Sequence, residues 1–532
     1  MSKKIPLTNI NTKDEINLCF ANKSADVSFA IGFPESYYIG MSNLGWQVIY
    51  AILNARKDVI CERFFLNDNS KICTVENRNS LKDFDFVGFS LSFELNYINV
   101  LKILKLAKIP LLSNERKYND PIIIAGGVCA SYNPEPLANF IDVFVIGDSE
   151  EVISEIIDKY KKIKADSRDK ILLELANIPG VYVPKFYTPI YNSDNTIKKF
   201  EIEHNVPKTI KRRIVQNLDI CPGMSAILTP NTEFGKMLLV EINRGCSRMC
   251  KFCVTSFIQT PVRRRSLACV MDIIEKGLKW TNKIGLVGTS ITDYPEIDEL
   301  VTFIIKKNAY LSTSSLRAEG ASDILIEALG KGGQKTFTIA VETMSEKLQK
   351  IIKKEIKEET IYSVVSKAIK NDIINIKLYF MIGLPEENMQ DIDINIRFIK
   401  RLVKYFIETS VSTGRIGKII AGFSVFIPKP FTPFESEQME NIKNLKQKMQ
   451  YLKGEVTGIP NLELRCESLH NAVLQGVFSR GDRRVGGILD YAVNSGVDLK
   501  TSLKNLTKSD IDFHIYGNSK GSGILPWKHL NS

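Results

Sequence analysis

The feature that most restricts the fold is a repeated alternation. Short, nearly continuous apolar runs, rich in β-branched and aromatic residues, are followed by stretches with helical apolar spacing, and the pattern occurs twice. In the first series VSFAIGF (27–33) precedes NLGWQVIYAILNA (43–55). FDFVGFSLS (84–92), PIIIAGG (121–127) and DVFVIG (142–147) follow, each ending in Gly or Ser. A strand that is apolar along its whole length has both faces buried. Alternation with helices therefore predicts a parallel sheet covered on both sides. Residues 1–180 are read as an open, doubly wound, Rossmann-like domain, with any ligand beyond the C-terminal strand ends.

The alternation resumes at 236 after a proline-marked connecting segment, 181–235, that contains Pro184, Pro189, Pro207, Pro222 and Pro230. Strands are expected at 238–243, 284–288, 310–314, 336–341, 375–382 and 418–426, with helices between them. Six βα units are fewer than the eight of a full barrel of ~250 residues, so 236–426 reads as a partial (β/α)6 barrel. The remainder, 427–532, is read as a small C-terminal extension. Within it SRGDRR (479–484) is a salt-bridged helix end or, with Arg480, Arg483 and Arg484, an anion-holding loop. LPWKHL is expected to tuck Trp527 against the barrel. The fold class is α/β.

No apolar run reaches the roughly 18 residues of a membrane span, and the N-terminus, MSKKIPLTNINTKDEINLCF, lacks an apolar signal core. The expectation is a cytoplasmic protein without a membrane partner. In a reducing compartment Cys19, Cys61, Cys73, Cys129, Cys221, Cys269 and Cys466 are free thiols. The net charge is +11, with its tightest basic clusters at Lys211–Arg213 and Arg263–Arg265. These are read as solvated surface, with phosphate contact as the alternative. No RNA-binding module is evident.

Three of the ten cysteines, Cys246, Cys250 and Cys253, fall within eight residues, in EINRGCSRMCKFC, directly after the first strand of the second series. Structural zinc wants four ligands, commonly two Cys pairs. There is no second pair, and the nearest histidines in sequence are His204 and His470. The Cys-x3-Cys-x2-Cys spacing suits three irons of a 4Fe–4S cube, leaving the fourth open to a ligand.

CSRMCKFC, with Phe252 before the last cysteine, resembles the signature of the radical S-adenosylmethionine (SAM) superfamily, and the resemblance extends through the barrel. It implies a 4Fe–4S cluster held by the three cysteines, SAM on the open iron, and reductive cleavage of SAM to methionine and a 5′-deoxyadenosyl radical. The cofactors carry that chemistry, and the protein orients them. By strand order the resemblance places Phe252, Gly288, Thr289, Ser314, Arg317, Glu342, Thr343, Ile382 and Gly383 around SAM. Arg317 is the partner of its carboxylate, Glu342 and Thr343 lie near the ribose or amino group, and the backbone of Ile382 and Gly383 lies near adenine.

The first domain resembles the cobalamin-binding domains joined to such barrels, in FVGFSLS, IIIAGGVCASYNPEPL and DVFVIGDSEE. Ser90, Ser92, Gly126, Gly127 and Gly147 would line the cobalamin crevice. The Asp-x-His-x-x-Gly loop that supplies a cobalt ligand in many cobalamin proteins is missing. The implied activity is a radical SAM reaction coupled to cobalamin-dependent methyl transfer to an unactivated carbon. A flavodoxin or ferredoxin would donate the electron, and the substrate would be an RNA, a peptide or a small molecule. Two other readings stay open: a methylthiotransferase-like RNA-modifying enzyme, with a second cluster drawn from Cys19, Cys61, Cys73 and Cys129, and a non-catalytic iron–sulfur redox or scaffold protein.

Overall fold

A computed structural model describes residues 12–21, 23–67, 71–314, 316–504, 513–515 and 523–531. The first residues of the expected N-terminal domain, 1–11, lie outside the described residues. The chain divides into two compact units, Met1–Lys236 with Leu474–Ser532, and Met237–Val473.

The first unit is built on a six-stranded sheet of β1 (Val27–Phe33), β2 (Val59–Phe65), β3 (Phe86–Ser90), β4 (Ile122–Gly126), β5 (Val143–Val145) and β6 (Val181–Tyr182). The spatial order is β2-β1-β3-β4-β5-β6, parallel except for β6. This is the doubly wound order whose topological switch lies between β1 and β3. Helix α1 (Gly45–Ala55) packs beside α3 (Val152–Ile163), and α2 (Tyr97–Leu106) packs beside the tail helix Gly486–Ser495.

Strand β2 was not among the expected strands, because VICERFF places two charges inside an apolar run. Both charges are buried and locally satisfied. Arg63 lies 2.8 Å from Glu15 and 2.5 Å from Glu76. Thr74, Asn77 and Asn79 donate to the Glu62 carboxylate at 2.5, 2.7 and 3.0 Å. A buried charge survives in a strand only with such partners.

The tail corrects the expected boundary at 427. Residues 474–532 group with the first unit rather than forming a separate extension. Asn133 donates to the carbonyls of Ser479 and Gly481 at 3.1 and 2.9 Å. Arg483 donates to the fully buried Glu135 carboxylate at 2.9 Å, so the NPE of YNPEPL reads the SRGDRR segment. Arg484 pairs with Asp482 at 2.6 Å. These arginines are salt-bridged, as the first of the two readings held. Trp527 is buried, in a segment grouped with the first unit, where Leu530–Asn531 pairs in parallel with Ile210–Lys211.

The second unit contains all six expected strands: β7 (Leu238–Arg244), β8 (Lys283–Gly288), β9 (Tyr310–Thr313), β10 (Thr336–Glu342), β11 (Asn375–Ile382) and β12 (Ile419–Val425). A seventh, β13 (Leu462–Cys466), lies past the expected end at 426 and pairs in parallel with β12. The order is β7-β8-β9, then β10-β11-β12-β13, and a parallel bridge from Leu316 to Ile339 joins the two runs. Helices α4 (Leu267–Gly277), α5 (Ile297–Lys306), α6 (Asp323–Lys331), α7 (Glu346–Ile352), α8 (Glu358–Lys370), α9 (Met389–Val411) and α10 (Ile442–Val456) make the crossovers. Ser266, Ser322 and Ser345 cap α4, α6 and α7 by accepting the amide three residues on, at 3.2–3.4 Å. Each such cap fixes where a crossover helix begins. Along β10, Phe337, Ile339 and Val341 are buried while Thr336, Thr338 and Ala340 are only partly so.

Candidate functional site

The barrel's chemistry-bearing residues collect at its C-terminal strand ends, where parallel barrels keep their sites. Strand β7 ends at Arg244, and Gly245, with φ 87°, turns the chain out of it. A side chain at this position would lie 2.3 Å from the Gln259 carbonyl, so both the turn and the space require glycine. The three cysteines follow on one loop, Cys250 buried and the other two half-buried. The Cys253 amide donates to the Cys250 carbonyl at 3.0 Å.

The loop is fixed from both sides. Toward β8, the buried Asn243 donates to the Ser290 carbonyl at 2.7 Å and accepts the Thr289 amide at 2.9 Å. The Thr289 hydroxyl oxygen accepts the Gly245 amide at 3.2 Å. Gly288 is glycine because a side chain there would lie 2.6 Å from Asn243 Oδ1. Arg248, inside the cysteine motif, makes a two-point pair with Asp293 at 3.0 and 2.5 Å. This pairing holds the Asp293 carboxyl below its ordinary range, against the opposing effect of burial. Toward β10 and β11, the Lys251 amide donates to the Ile352 carbonyl at 3.0 Å. Phe252 packs on Leu348, Ile352, Leu384, Phe426 and Phe434. It therefore anchors the motif into the apolar rim.

Two cations face the loop. Arg317 donates to Glu319 at 3.2 Å, while its Nε is buried without a hydrogen-bond partner. Lys354 is buried and lies 2.8 Å from Glu342, which ends β10 in the left-handed conformation at φ 65°. Burial pushes the Cys250 thiol up, Lys354 and Arg317 pull it down, and the Cys253 and Cys246 thiols push it further up. The three sulfurs are thus electrostatic neighbours.

This donor set fits an iron–sulfur cube. It offers three thiols on one loop. Among the described residues no three Cys, His, Asp or Glu side chains close to the spacing of one metal ion's ligands. The corner thiolates of a cube stand wider than that, because the iron and sulfide lie between them. The orphaned Nε of Arg317 fits an anionic group beside that cube, since a buried donor left unpaired is costly.

The other expected SAM residues differ in how free they are. Ser314 is exposed. Thr343 is fully buried, its carbonyl accepting from Gln349 at 2.9 Å and its hydroxyl oxygen accepting the Ser345 amide at 3.2 Å. The Ile382 carbonyl accepts the Phe426 amide at 2.9 Å, and the Gly383 amide donates to Glu387 at 2.7 Å. These backbone groups are engaged within the chain.

In the first unit Ser92 and Phe93 are exposed just past the end of β3, and Ser90 and Gly126 are half-buried. Gly127 and Gly147 are required by close approach of the chain's own backbone. A side chain at Gly127 would lie 2.7 Å from the Leu91 carbonyl, and one at Gly147 would lie 2.2 Å from that of Arg213. Their smallness serves the chain's own packing. A cleft of about 630 Å³ beside the end of β1 is lined by Glu35, Ser36, Asn99, Lys102 and Lys105. It includes none of the five expected positions.

Sequence reading missed Asn243, Asp293 and Lys354. Asn243 stands three residues before Cys246 and could have been suspected from that. Lys354 is one of several lysines in LQKIIKKEIKEET, and nothing in spacing sets it apart.

The sequence pattern of radical SAM proteins, N-terminal, matches residues 45–184, and that of the radical SAM superfamily matches residues 240–399. The uncharacterized protein MJ0966 of Methanocaldococcus jannaschii is 30% identical over 510 residues, covering 94% of this chain and 98% of that one. The ribosomal protein uS12 methylthiotransferase RimO of Thermosipho melanesiensis is 24% identical over 288 residues, covering 47% of this chain and 64% of that one. Among solved structures, the radical SAM methyltransferase TsrM from Kitasatospora setae, with cobalamin and a 4Fe–4S cluster bound, is similar in fold. Its TM-score is 0.53 at 12% identity, over 91% of this chain and 100% of that one.

Proposed function

Because this chain belongs to the radical SAM superfamily, we propose that it couples SAM cleavage to cobalamin-dependent methyl transfer onto an unactivated carbon. Membership makes it an enzyme that uses a 4Fe–4S cluster and SAM and needs a reductant and a substrate. The observation that carries the methyl-transfer reading is the doubly wound sheet, β2-β1-β3-β4-β5, in the same chain as the cysteine-bearing barrel. The whole-length fold likeness to TsrM supports it.

When bound, the cluster and SAM supply a one-electron cleavage that yields a 5′-deoxyadenosyl radical, and cobalamin supplies a methyl group. Cys246, Cys250 and Cys253 hold three corners of the cluster. Arg317 Nε would donate to the SAM carboxylate, a charge-assisted contact that satisfies a buried donor. Asn243 and Thr289 keep the β8 end in register with the cysteine loop. Phe252, seated in the rim, prevents the loop from swinging open. Ser90, Ser92 and Gly126, with the exposed Phe93, offer a small, partly apolar floor at the sheet's edge for a flat macrocycle. A flavodoxin or ferredoxin serves as donor in the cytoplasm. No described helix is long and apolar enough to cross a membrane.

Anaerobic reconstitution with SAM, reductant and cobalamin tests the proposal. The expected result is 5′-deoxyadenosine, bound cobalamin, about four irons per chain, and a labelled methyl group on an RNA, peptide or small molecule from cell extract. A cluster-loaded chain that never binds cobalamin ends the methylase reading. About eight irons would move the assignment to a methylthiotransferase-like RNA-modifying enzyme. Of the cysteines such an enzyme would draw on, Cys61 and Cys129 are buried here. A loaded chain that does not cleave SAM would be a redox or scaffold protein.

A further inference from the structure

A lysine ammonium is rarely buried without a purpose, because dehydration of a point charge is expensive. Lys354 is 8% exposed, and among the described residues its carboxylate partner is Glu342 at 2.8 Å. The turn that carries it is heavily fixed. Lys353 ends α7 in the left-handed conformation at φ 56°. The Lys354 amide donates to the Gln349 carbonyl at 2.9 Å, and Gln349 in turn donates to the carbonyls of Thr343 and Ile356 at 2.9 and 3.2 Å. Two residues before Lys354, the Ile352 carbonyl accepts the amide of Lys251, the residue next to Cys250. One short, rigid path therefore runs from the buried cysteine to the buried ammonium and on to the end of β10.

We infer that Lys354 is a positioning residue for the iron–sulfur cluster: its ammonium holds the Glu342 end of β10 and raises the cluster's reduction potential by placing a positive charge beside the Cys250 corner. This rests on the reading that the three cysteines hold a cluster. Reduction adds one negative charge to a group already bearing thiolates. In a partly dry site an ammonium stabilises that added charge far more than it would in water. Net charge and local dipoles are the terms that set the potentials of such clusters. Arg317 acts in the same direction from the β9 side, and Glu342 opposes both. The sign of the effect therefore depends on which member of the Lys354–Glu342 pair is removed.

The experiment is a redox titration of the reconstituted full-length chain, read by the EPR signal of the reduced cluster. Lys354→Met should make the cluster harder to reduce, with the reduced-to-oxidised ratio at fixed applied potential falling about tenfold, or 59 mV for a one-electron couple. Glu342→Gln should shift the potential the opposite way, and Lys354→Arg should restore the parent value. Opposite shifts from two members of one pair cannot come from general loosening. If Lys354→Met fails to assemble a cluster, Glu342→Gln decides alone, and an unmoved potential there overturns the inference. Equal potentials in all variants, or shifts of one sign, overturn it as well. A parent chain that holds no cluster overturns instead the functional reading beneath it.

Discussion

Two buried charge clusters, one in each unit, have the same chemistry and different degrees of closure. At β2 the Arg63 guanidinium is divided between Glu15 and Glu76, and all three side chains are at most 5% exposed. At the barrel's rim, Arg317 and Lys354 each have a single ion-paired carboxylate among the described residues, and Arg317 keeps a buried donor unpaired. A closed set stabilises only the fold, since no donor is left to meet anything else. An open set beside three thiols is costly to the apo protein and becomes favourable only when an anion arrives. Satisfaction, more than burial, separates these two clusters.

The comparison can be broken or sharpened by substitution. The largest effect belongs to Cys250→Ala, which should lose the cluster's colour and iron and all SAM cleavage together; retained turnover would remove the site. Next, Arg63→Met strands two buried carboxylates and should cost about 3–5 kcal/mol, read as a shift in the urea midpoint. Arg317→Met should leave that midpoint within about 1 kcal/mol, because its one ion pair is partly open to solvent. It should weaken SAM binding at least about tenfold, the worth of roughly one charge-assisted hydrogen bond. Reversed outcomes, with Arg63→Met neutral and Arg317→Met unfolded, would invert the distinction. Asn243→Ala leaves the Thr289 and Ser290 backbone groups unpaired and should cost about 1–3 kcal/mol, with a matching fall in SAM affinity.

The smallest effect concerns pH. Burial pushes the Asp391 carboxyl up, but hydrogen bonds from Lys347 and Ser345 and from the Asn388 amide outweigh it, and the net direction is down. A carboxyl depressed in the folded state binds protons more weakly there than in the unfolded chain. Its stabilisation is complete above the ordinary aspartate pKa and is lost as pH falls through the depressed folded value. Asp391→Asn should flatten the acid limb of the stability curve and leave the neutral region lower and level.

Much of the architecture was legible because it is written in periodicity. Val27–Phe33 and Asn375–Ile382 are apolar along most of their length, and the strands fall where that pattern places them. Periodicity fails where charge enters a strand. VICERFF reads poorly until Glu15, Glu76, Asn77 and Asn79 are seen to surround its two charges, and LELRC is an edge strand with exposed Arg465 and Cys466. The cysteine loop was legible because three thiols at that spacing have few structural uses. Lys354 was not, since its significance comes from a turn that brings it back beside Cys250. Gly127 and Gly147 show how a small residue at a strand end carries two meanings in a sequence: room for a ligand, or, as the nearby Leu91 and Arg213 carbonyls show, close approach of the chain's own backbone.

The bond between Glu135 and Arg483 spans 348 residues of sequence, with the whole barrel unit between its ends. A ribosome therefore delivers the barrel complete before it delivers the cation that Glu135 needs. Until then a carboxylate destined for full burial lacks the guanidinium that meets it in the folded unit. The unit whose translation begins first is thus the one that matures last. A nascent chain stalled after residue 473 and before Arg483 would carry all of the barrel's residues and an unfinished first unit, the kind of half-built intermediate that chaperones retain.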